Sequence, residues 1–118
     1  YLVERQLEAG TYVMVSVVRE PLGTVVAFGE GGEGAGRSGT PAWFGIDPTL
    51  QDLLAGARRI LRPMKAERSA QSLAEFAQRA IAVHASSRLS LLEINPARIL
   101  PSGVVVALDA VATQGEIA

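Results

Sequence analysis

The sequence predicts an α+β domain, in which a mainly antiparallel sheet of about five strands carries two helices on one face. Three observations lead to this prediction. Runs rich in β-branched residues occupy both ends of the chain, and apolar residues fall at helical spacing between them. Short segments with proline and glycine join successive strands, as expected for antiparallel hairpins. The strands and helices are also grouped rather than alternating, which is typical of an α+β layer.

The composition is that of one globular domain spanning residues 1–118. The chain is 48% hydrophobic and its formal net charge is −1, so it can form a core of its own and disorder is excluded. Without a basic excess, nucleic acid is not an expected partner. The chain has no cysteine, which excludes disulfides and thiolate metal sites. No membrane-length apolar run and no signal peptide is apparent, so we expect a cytoplasmic location and no membrane partner.

The N-terminal part of the chain predicts three strands and a glycine-rich loop. Residues 1–7 alternate weakly, and residues 12–18 (YVMVSVV) form a β-branched run. Residues 24–28 return as a third strand after the turn EPLG. The loop at 29–39 (GEGGEGAGRSG) has no apolar period and separates these strands from the helices.

A first helix is predicted to begin at Asp47-Pro48 and to end at Pro63, because proline removes a backbone donor inside a helix. Its apolar residues at helical spacing are Leu50, Leu53, Leu54, Ala57, Ile60 and Leu61. Trp43 and Phe44 lie just before this helix, and we expect both to anchor the core.

A second and longer helix is predicted over residues 69–86. Its apolar stripe consists of Leu73, Phe76, Ala77, Ala80, Ile81 and His84. Ser72 and Glu75 have the spacing of a capping box. His84 ends the stripe, so we interpret it as a packing or helix-dipole residue and not as a catalytic one.

The last two strands, residues 89–100 and 104–111, are predicted to form a hairpin. A turn at the segment PSG places Asn95 opposite Asp109, where cross-strand Cβ atoms lie about 4.5–5.5 Å apart. Side chains alternate along a strand, so Glu93 shares the face of Asn95. The same alternation predicts further residues on this face, namely Ala97, Ile99, Val105 and Ala107.

Glu93, Asn95 and Asp109 would thus bring three oxygen-bearing side chains together, at the end of the hairpin away from its turn. Mg²⁺ prefers such oxygen ligands and usually takes one or two carboxylates plus substrate phosphates. The alternative is that both acids are solvated on an open face and that Asn95 completes a turn; the residues alone leave both interpretations open.

Arg98 is expected on the opposite face. Pro96 cannot donate to the ladder, so a bulge there would shift this register.

The hairpin sequence LLEINPARILPSGVVVALDA resembles the end of the ATP-grasp module in succinyl-CoA synthetase β-type subunits and in NDP-forming acyl-CoA synthetases. In that family the motif EINP is followed by an aspartate in an LDA or LDG context, and this asparagine and aspartate hold the Mg²⁺ of the nucleotide. The resemblance implies the same role for Asn95 and Asp109, with Glu93 assisting. It also implies that the chain is the C-terminal ATP-grasp subdomain.

The start of the chain resembles the same family. The segment YLVERQLEAG is similar to the hinge strand LVE or LVQ, which contacts the adenosine part of ATP, and this implies cofactor-binding roles for Val3 and Glu4. The segment VSVVREPLGTVVAFGEGGEG is similar to the strand–turn–strand that leads to a double glycine, here Gly31-Gly32. Two positions depart from the family pattern, because Thr11-Tyr12 and Gly36 stand where the family usually has acids.

The resemblance implies the nucleotide- and Mg²⁺-binding part of an acyl-CoA synthetase. Such an enzyme couples acyl-CoA and ATP or GTP through an acyl phosphate and a phosphohistidine. The implied partners are the N-terminal ATP-grasp half and the CoA-binding domains, on the same or a partner chain, in an oligomer. The start at Tyr1 and the single lysine, Lys65, lead us to expect a fragment of a longer polypeptide that is not active alone. No catalytic side chain is assigned.

Two alternatives of a different class stay open. The first is a non-catalytic ATP-grasp-like regulatory or scaffold module, as in acyl-CoA-synthetase-like lysine acetyltransferases, and the two departures from the family pattern favour it. The second is a small-ligand or assembly domain that uses the glycine-rich loop and binds no nucleotide. Stabilisation by Mg-ATP or Mg-ADP distinguishes the nucleotide-binding hypotheses from this last one.

Overall fold

The computed structural model describes residues 11–32 and 42–115. These residues form six strands, two α-helices and one 3₁₀ turn. In chain order the elements are β1 (Thr11–Glu20), β2 (Gly23–Glu30), β3 (Trp43–Ile46), α1 (Leu50–Leu61), the 3₁₀ turn (Glu67–Ser69), α2 (Ala70–Ser86), β4 (Leu91–Ile99), β5 (Val105–Ala107) and β6 (Ala110–Thr113).

The strands form one antiparallel sheet with the order β3-β2-β1-β4-β5, and β6 pairs with β4 beyond the end of β5. Both helices pack on the same face of this sheet, so the predicted α+β class is confirmed. Two differences from the prediction concern strand number. The short strand β3 was not expected, and the predicted last strand is divided into β5 and β6. The predicted strand at residues 1–7 lies outside the described residues.

The core lies between the helices and one face of the sheet. On β1, Val13, Val15 and Val17 are fully buried, while the residues between them are only partly buried. Directly opposite on β2, Phe28 faces Val15 and Val26 faces Val17. The helices add a further set of fully or nearly fully buried side chains: Leu53, Ala57, Ile60, Leu61, Leu73, Ala74 and Ala77. Burial of one large apolar side chain contributes about 1.5–3 kcal/mol, so this layer is the main stabilising part of the domain.

Helix α1 begins with a complete capping box. The Asp52 backbone N–H donates to Thr49 Oγ1 at 3.1 Å, and the Thr49 N–H donates to Asp52 Oδ2 at 2.9 Å. These two bonds satisfy backbone donors that an uncapped helix start would leave free. The helix ends at Leu61, before Pro63, so the predicted helix is confirmed.

Trp43 on β3 packs between the sheet and α1. Its ring stacks on Phe28 with 5.3 Å between centroids, and on the other side it lies against the backbone of Gly56 in α1. A Cβ atom at Gly56 would lie 2.3 Å from Trp43 Cδ2, so only glycine allows this approach. The prediction that Trp43 anchors the core is confirmed. The prediction for Phe44 is wrong, because strand alternation turns Phe44 to the opposite face, where it is 71% exposed.

Helix α2 follows the predicted stripe, with Leu73, Ala77, Ala80 and His84 buried against the sheet. The capping box predicted for Ser72 and Glu75 is wrong. The helix already begins at Ala70, so both residues lie inside it, and the Glu75 carboxylate accepts a hydrogen bond from Gln71 Nε2 at 3.0 Å. His84 Nε2 lies 3.3 Å from the Ser90 carbonyl oxygen, which fits a packing residue at the helix end. None of the described helices is long and apolar enough to cross a membrane.

Candidate functional site

A β-bulge in β4 determines which side chains face away from the helices. Along β1, Val13 pairs with Ala97 and Val15 pairs with Ile94. One residue separates the two valines, whereas Asn95 and Pro96 together separate their partners on β4. The Asn95–Pro96 peptide bond is cis. The extra residue shifts the alternation of β4 by one, so Ile94 and Ala97 both face the helices although they are three positions apart.

The bulge corrects the predicted division of faces. Ala97 and Ile99 were expected beside Glu93, but they are 0% and 5% exposed and belong to the helix-covered core. The same shift brings Arg98 to the open face, opposite Tyr12 on β1. The predicted alternation had placed Arg98 on the other face. The open face is thus the sheet surface that carries Glu93, Arg98 and Tyr12 and is covered by no described helix.

The predicted register of the last hairpin is confirmed on both sides of the bulge. Ala97 pairs with Ala107 on β5, and Glu93 pairs with Val111 on β6. Between these pairs the Asn95 N–H donates to the Asp109 carbonyl oxygen at 3.0 Å. Asn95 and Asp109 are therefore direct neighbours, as the hairpin predicted.

The Asn95 side chain is held by a backbone donor from β2. Its Oδ1 accepts a hydrogen bond from the Gly32 N–H at 3.1 Å, which links the end of β2 to β4 across β1. The preceding residue, Gly31, donates its N–H to the Tyr12 carbonyl oxygen at 3.1 Å. A Cβ atom at Gly31 would lie 2.4 Å from Val13 O, so a side chain there would push the double glycine away from β1. The close approach of the Gly31–Gly32 backbone to β1 therefore holds the side-chain oxygen of Asn95, Oδ1, in one place.

The contact between Gly32 and Asn95 was not predicted. The double glycine suggested amides that could approach a phosphate, but the Gly32 N–H is already bound by Asn95. No local pattern reports such a contact, because the two residues are 63 positions apart.

The two carboxylates of the predicted site have no protein partner among the described residues. Glu93 is half-buried between Ser16 on β1 and Val111 on β6, and Asp109 is exposed between β5 and β6. Neither carboxylate forms a hydrogen bond or an ion pair with another described residue. Glu93 and Asp109 are therefore both available to a cation.

These residues fit Mg²⁺ bound together with a phosphorylated ligand. Asn95 Oδ1 has a second lone pair beyond the one that Gly32 occupies, and Glu93 and Asp109 supply up to two carboxylates. Residues 11–32 and 42–115 contain no cluster of three histidine, cysteine or acidic side chains that could hold a metal by themselves. Mg²⁺ usually takes one or two carboxylates together with waters and substrate phosphates.

An apolar surface lies beside these polar groups on the open face. Phe44 and Ile46 on β3 are 71% and 55% exposed, and Val25 and Ala27 pair with them on β2. Contiguous exposed apolar surface of this kind marks a place where a ligand or another protein segment can bind. Val3 and Glu4 lie outside the described residues, so their contact with adenosine stays a prediction.

The fold has counterparts among solved structures, although no protein-family model and no curated protein sequence matches the chain. It is similar to the dinucleotide-forming acetyl-coenzyme A synthetase 1 of Ca. Korarchaeum cryptofilum in complex with coenzyme A and Mg-AMPPCP. In this comparison the TM-score is 0.71 and the identity 18%, covering 88% of this chain and 53% of that chain.

A second similar structure is that of ATP citrate lyase from Methanothrix soehngenii in complex with citrate and coenzyme A. The TM-score is 0.54 and the identity 19%, covering 86% of this chain and 23% of that chain. At these identities the likeness establishes the fold alone. The chain spans about half the length of the synthetase chain that it matches.

Proposed function

We propose that the chain is the nucleotide- and Mg²⁺-binding C-terminal ATP-grasp subdomain of an NDP-forming acyl-CoA synthetase. The observation that carries this proposal is the pairing of Asn95 with Asp109 next to the double glycine, at the sheet face that no described helix covers. A fold shared with an acetyl-coenzyme A synthetase that was solved with Mg-AMPPCP supports it. So does the position of the EINP motif at the bulge of β4.

Each residue has a distinct role in this proposal. Asn95 and Asp109 would hold the Mg²⁺, and Glu93 would assist from the neighbouring position of the same face. When bound there, the ion would neutralise charge on the phosphates during transfer. The Gly32 N–H keeps Asn95 Oδ1 in place before ligand arrives, so less ordering is needed on binding. Val3 and Glu4 would contact the adenosine, and no side chain of this chain needs to act as a general base.

The rest of the reaction belongs to partner domains in this proposal. The open face is one wall of a cleft, and the N-terminal ATP-grasp half would supply the second wall and the basic residues that contact phosphates. CoA-binding domains would contribute the acyl phosphate and phosphohistidine steps. ATP and GTP are both compatible with the residues on the open face.

A thermal-shift titration of the full-length protein with Mg-ATP and Mg-ADP tests this proposal. A ligand at one hundred times its Kd stabilises the native state by about 2.7 kcal/mol. We expect stabilisation that requires Mg²⁺ and that is lost in Asp109→Asn, because this variant removes one carboxylate charge without removing a structural contact.

Glu75→Gln is the matched control, since it removes an exposed carboxylate on the helix side of the sheet. Its Mg²⁺-dependent stabilisation should equal that of the wild type. Retention of the full effect in Asp109→Asn would show that Asp109 is not a ligand. A well-folded protein that responds to neither nucleotide would favour the small-ligand or assembly domain.

The second candidate function is a regulatory or scaffold module that binds the nucleotide without turnover. Thr11 and Tyr12, neutral residues where the family usually has an acid, favour this candidate. Transfer of phosphate from ATP to a histidine of the full-length protein distinguishes the two. Labelled histidine favours the enzyme, whereas Mg²⁺-dependent binding without label favours the module.

A further inference from the structure

A cavity of about 190 Å³ lies on the helix side of the sheet, away from the open face. It is lined by the turn that joins α1 to α2 and by the far end of the β4–β5 hairpin. Its polar lining is Thr11, Lys65, Arg68 and Ser69, and the hairpin contributes Leu100 and Pro101. Nothing in the proposed nucleotide site uses these residues.

The Ser69 hydroxyl is the first indication of a ligand. Ser69 is only 8% exposed and lines the cavity. It occupies the N-cap position of α2 but forms no capping hydrogen bond, and its side chain has no hydrogen bond to any described residue. The hydroxyl is therefore free to donate a hydrogen bond to a ligand in this cavity.

The charge around Ser69 favours an anion. Lys65 and Arg68 line the same cavity, and neither forms an ion pair with another described residue. The nearest carboxylate in this turn, Glu67, is taken by Arg62, whose Nη2 donates to it at 3.0 Å. The 17-residue helix α2 has no acidic side chain in its described first turn, so the positive end of its dipole is not neutralised there.

The backbone of the turn is held in place before any ligand binds. Lys65 has a φ of 58°, and its N–H donates to the Arg62 carbonyl oxygen at 3.0 Å. The Ser69 N–H donates to the Ala66 carbonyl oxygen at 2.9 Å. These bonds fix the turn that carries all three polar groups, so little ordering of the backbone is needed on binding.

We propose that this cavity binds a phosphate-type dianion, either inorganic phosphate or the terminal phosphate of a small phosphomonoester. Its volume is below the roughly 300–1,000 Å³ of sites for larger ligands, which favours a small anion. Ser69 donates a hydrogen bond from its hydroxyl, and Lys65 and Arg68 supply the charge. The Thr11 hydroxyl offers a further polar contact.

Calorimetric titration of the chain with inorganic phosphate, at constant ionic strength set by chloride, tests the site. We expect saturable binding that weakens about tenfold in Ser69→Ala, because a hydrogen bond to a charged group is lost. Arg68→Met should also weaken binding. Arg59→Met is the matched control, since it removes an exposed arginine of α1 that does not line the cavity; its affinity should equal that of the wild type.

A second readout does not depend on the folding of any variant. Lys65 is the only lysine of the chain, so acylation of lysine reports on this position alone. Phosphate should slow the acylation of Lys65 in the wild type, and chloride at equal ionic strength should not.

A parallel titration with glycerol 3-phosphate distinguishes the two sources of the anion. Tighter binding of the ester identifies a phosphomonoester, and equal or weaker binding identifies free phosphate. The proposal is overturned if phosphate neither binds saturably nor protects Lys65 from acylation. It is also overturned if Arg59→Met and Arg68→Met lower the phosphate affinity equally. Asn95→Ala should leave phosphate binding unchanged, so the failure of this site and that of the nucleotide site are distinguishable.

Discussion

The neighbouring strands β1 and β4 differ in how strictly they follow strand alternation. On the helix-covered face, Val13, Val15 and Val17 follow each other at every second position of β1 without interruption. On β4 the alternation breaks at Asn95–Pro96, where two residues occupy the place of one. β1 supplies apolar volume to the covered face, and a regular period is sufficient for that. The open face holds polar groups in defined positions, and its geometry depends on an irregular backbone.

The largest expected effect tests the covered face. Phe28→Ala removes a fully buried ring that stacks on Trp43, and such truncations cost about 3–5 kcal/mol of the free energy of unfolding. Phe44→Ala truncates the same residue type on the open face, where it is 71% exposed; we expect a change within about 0.5 kcal/mol. Urea unfolding of both variants measures the contrast. Equal losses of the free energy of unfolding in the two variants would mean that the open face is packed as tightly as the covered one.

The next effect concerns the close approach of the double glycine to β1. In Gly31→Ala the new Cβ would lie 2.4 Å from Val13 O, so the backbone must move, at a cost of about 1–3 kcal/mol. Gly29→Ala, two positions earlier, meets only Met14 Cε at 3.5 Å and should leave the stability nearly unchanged. Thermal unfolding of the two variants provides the comparison, and similar midpoints would contradict the predicted clash.

A smaller loss of stability is expected when the hydrogen bond between the Gly32 N–H and Asn95 Oδ1 is removed. Asn95→Ala removes the acceptor of the Gly32 N–H, and a hydrogen bond of this kind contributes about 0.5–1.5 kcal/mol. Asn95→Asp keeps an acceptor oxygen and should retain most of that stability. Hydrogen exchange of the Gly32 amide checks this directly, because it should accelerate in the alanine variant only. Unchanged exchange in Asn95→Ala would show that the bond does not protect the amide.

The smallest effect is a pH dependence at the exposed pair Arg62–Glu67. The hydrogen bond from Arg62 lowers the pKa of Glu67 below its ordinary value of 4.5. A lowered folded-state pKa gives a stabilisation that is present above the unfolded-state pKa and is lost as the pH falls through the folded-state pKa. Glu67→Gln should therefore melt slightly below the wild type at neutral pH. This difference should shrink as the pH falls below 4.5, and an undiminished difference in acid would exclude the ion pair as its cause.

The sequence predicted those features that depend on short-range patterns. The helical stripes gave both helices, and counting residues around the turn PSG placed Asn95 beside Asp109. Prediction from the sequence failed where two segments match the same pattern, or where the residues in contact lie far apart in the chain. Ser72 and Glu75 match a capping box as well as Thr49 and Asp52 do, yet only the second pair forms one. The sequence indicated that a bulge at Pro96 would shift the register. Only the pairing with β1 shows that the bulge turns Arg98, and not Ala97, to the open face.

The hydrogen bond between Gly32 and Asn95 has a consequence for comparing related sequences. Asn95 contributes to the folded structure whether or not a nucleotide ever binds, so a lineage that has lost the activity still gains from keeping it. Asp109 has no such second use, since its carboxylate has no partner among the described residues. Among descendants of one ancestor, retention of the asparagine therefore says little about function. If the proposed nucleotide site is correct, loss of the aspartate is the substitution that would mark an inactive branch.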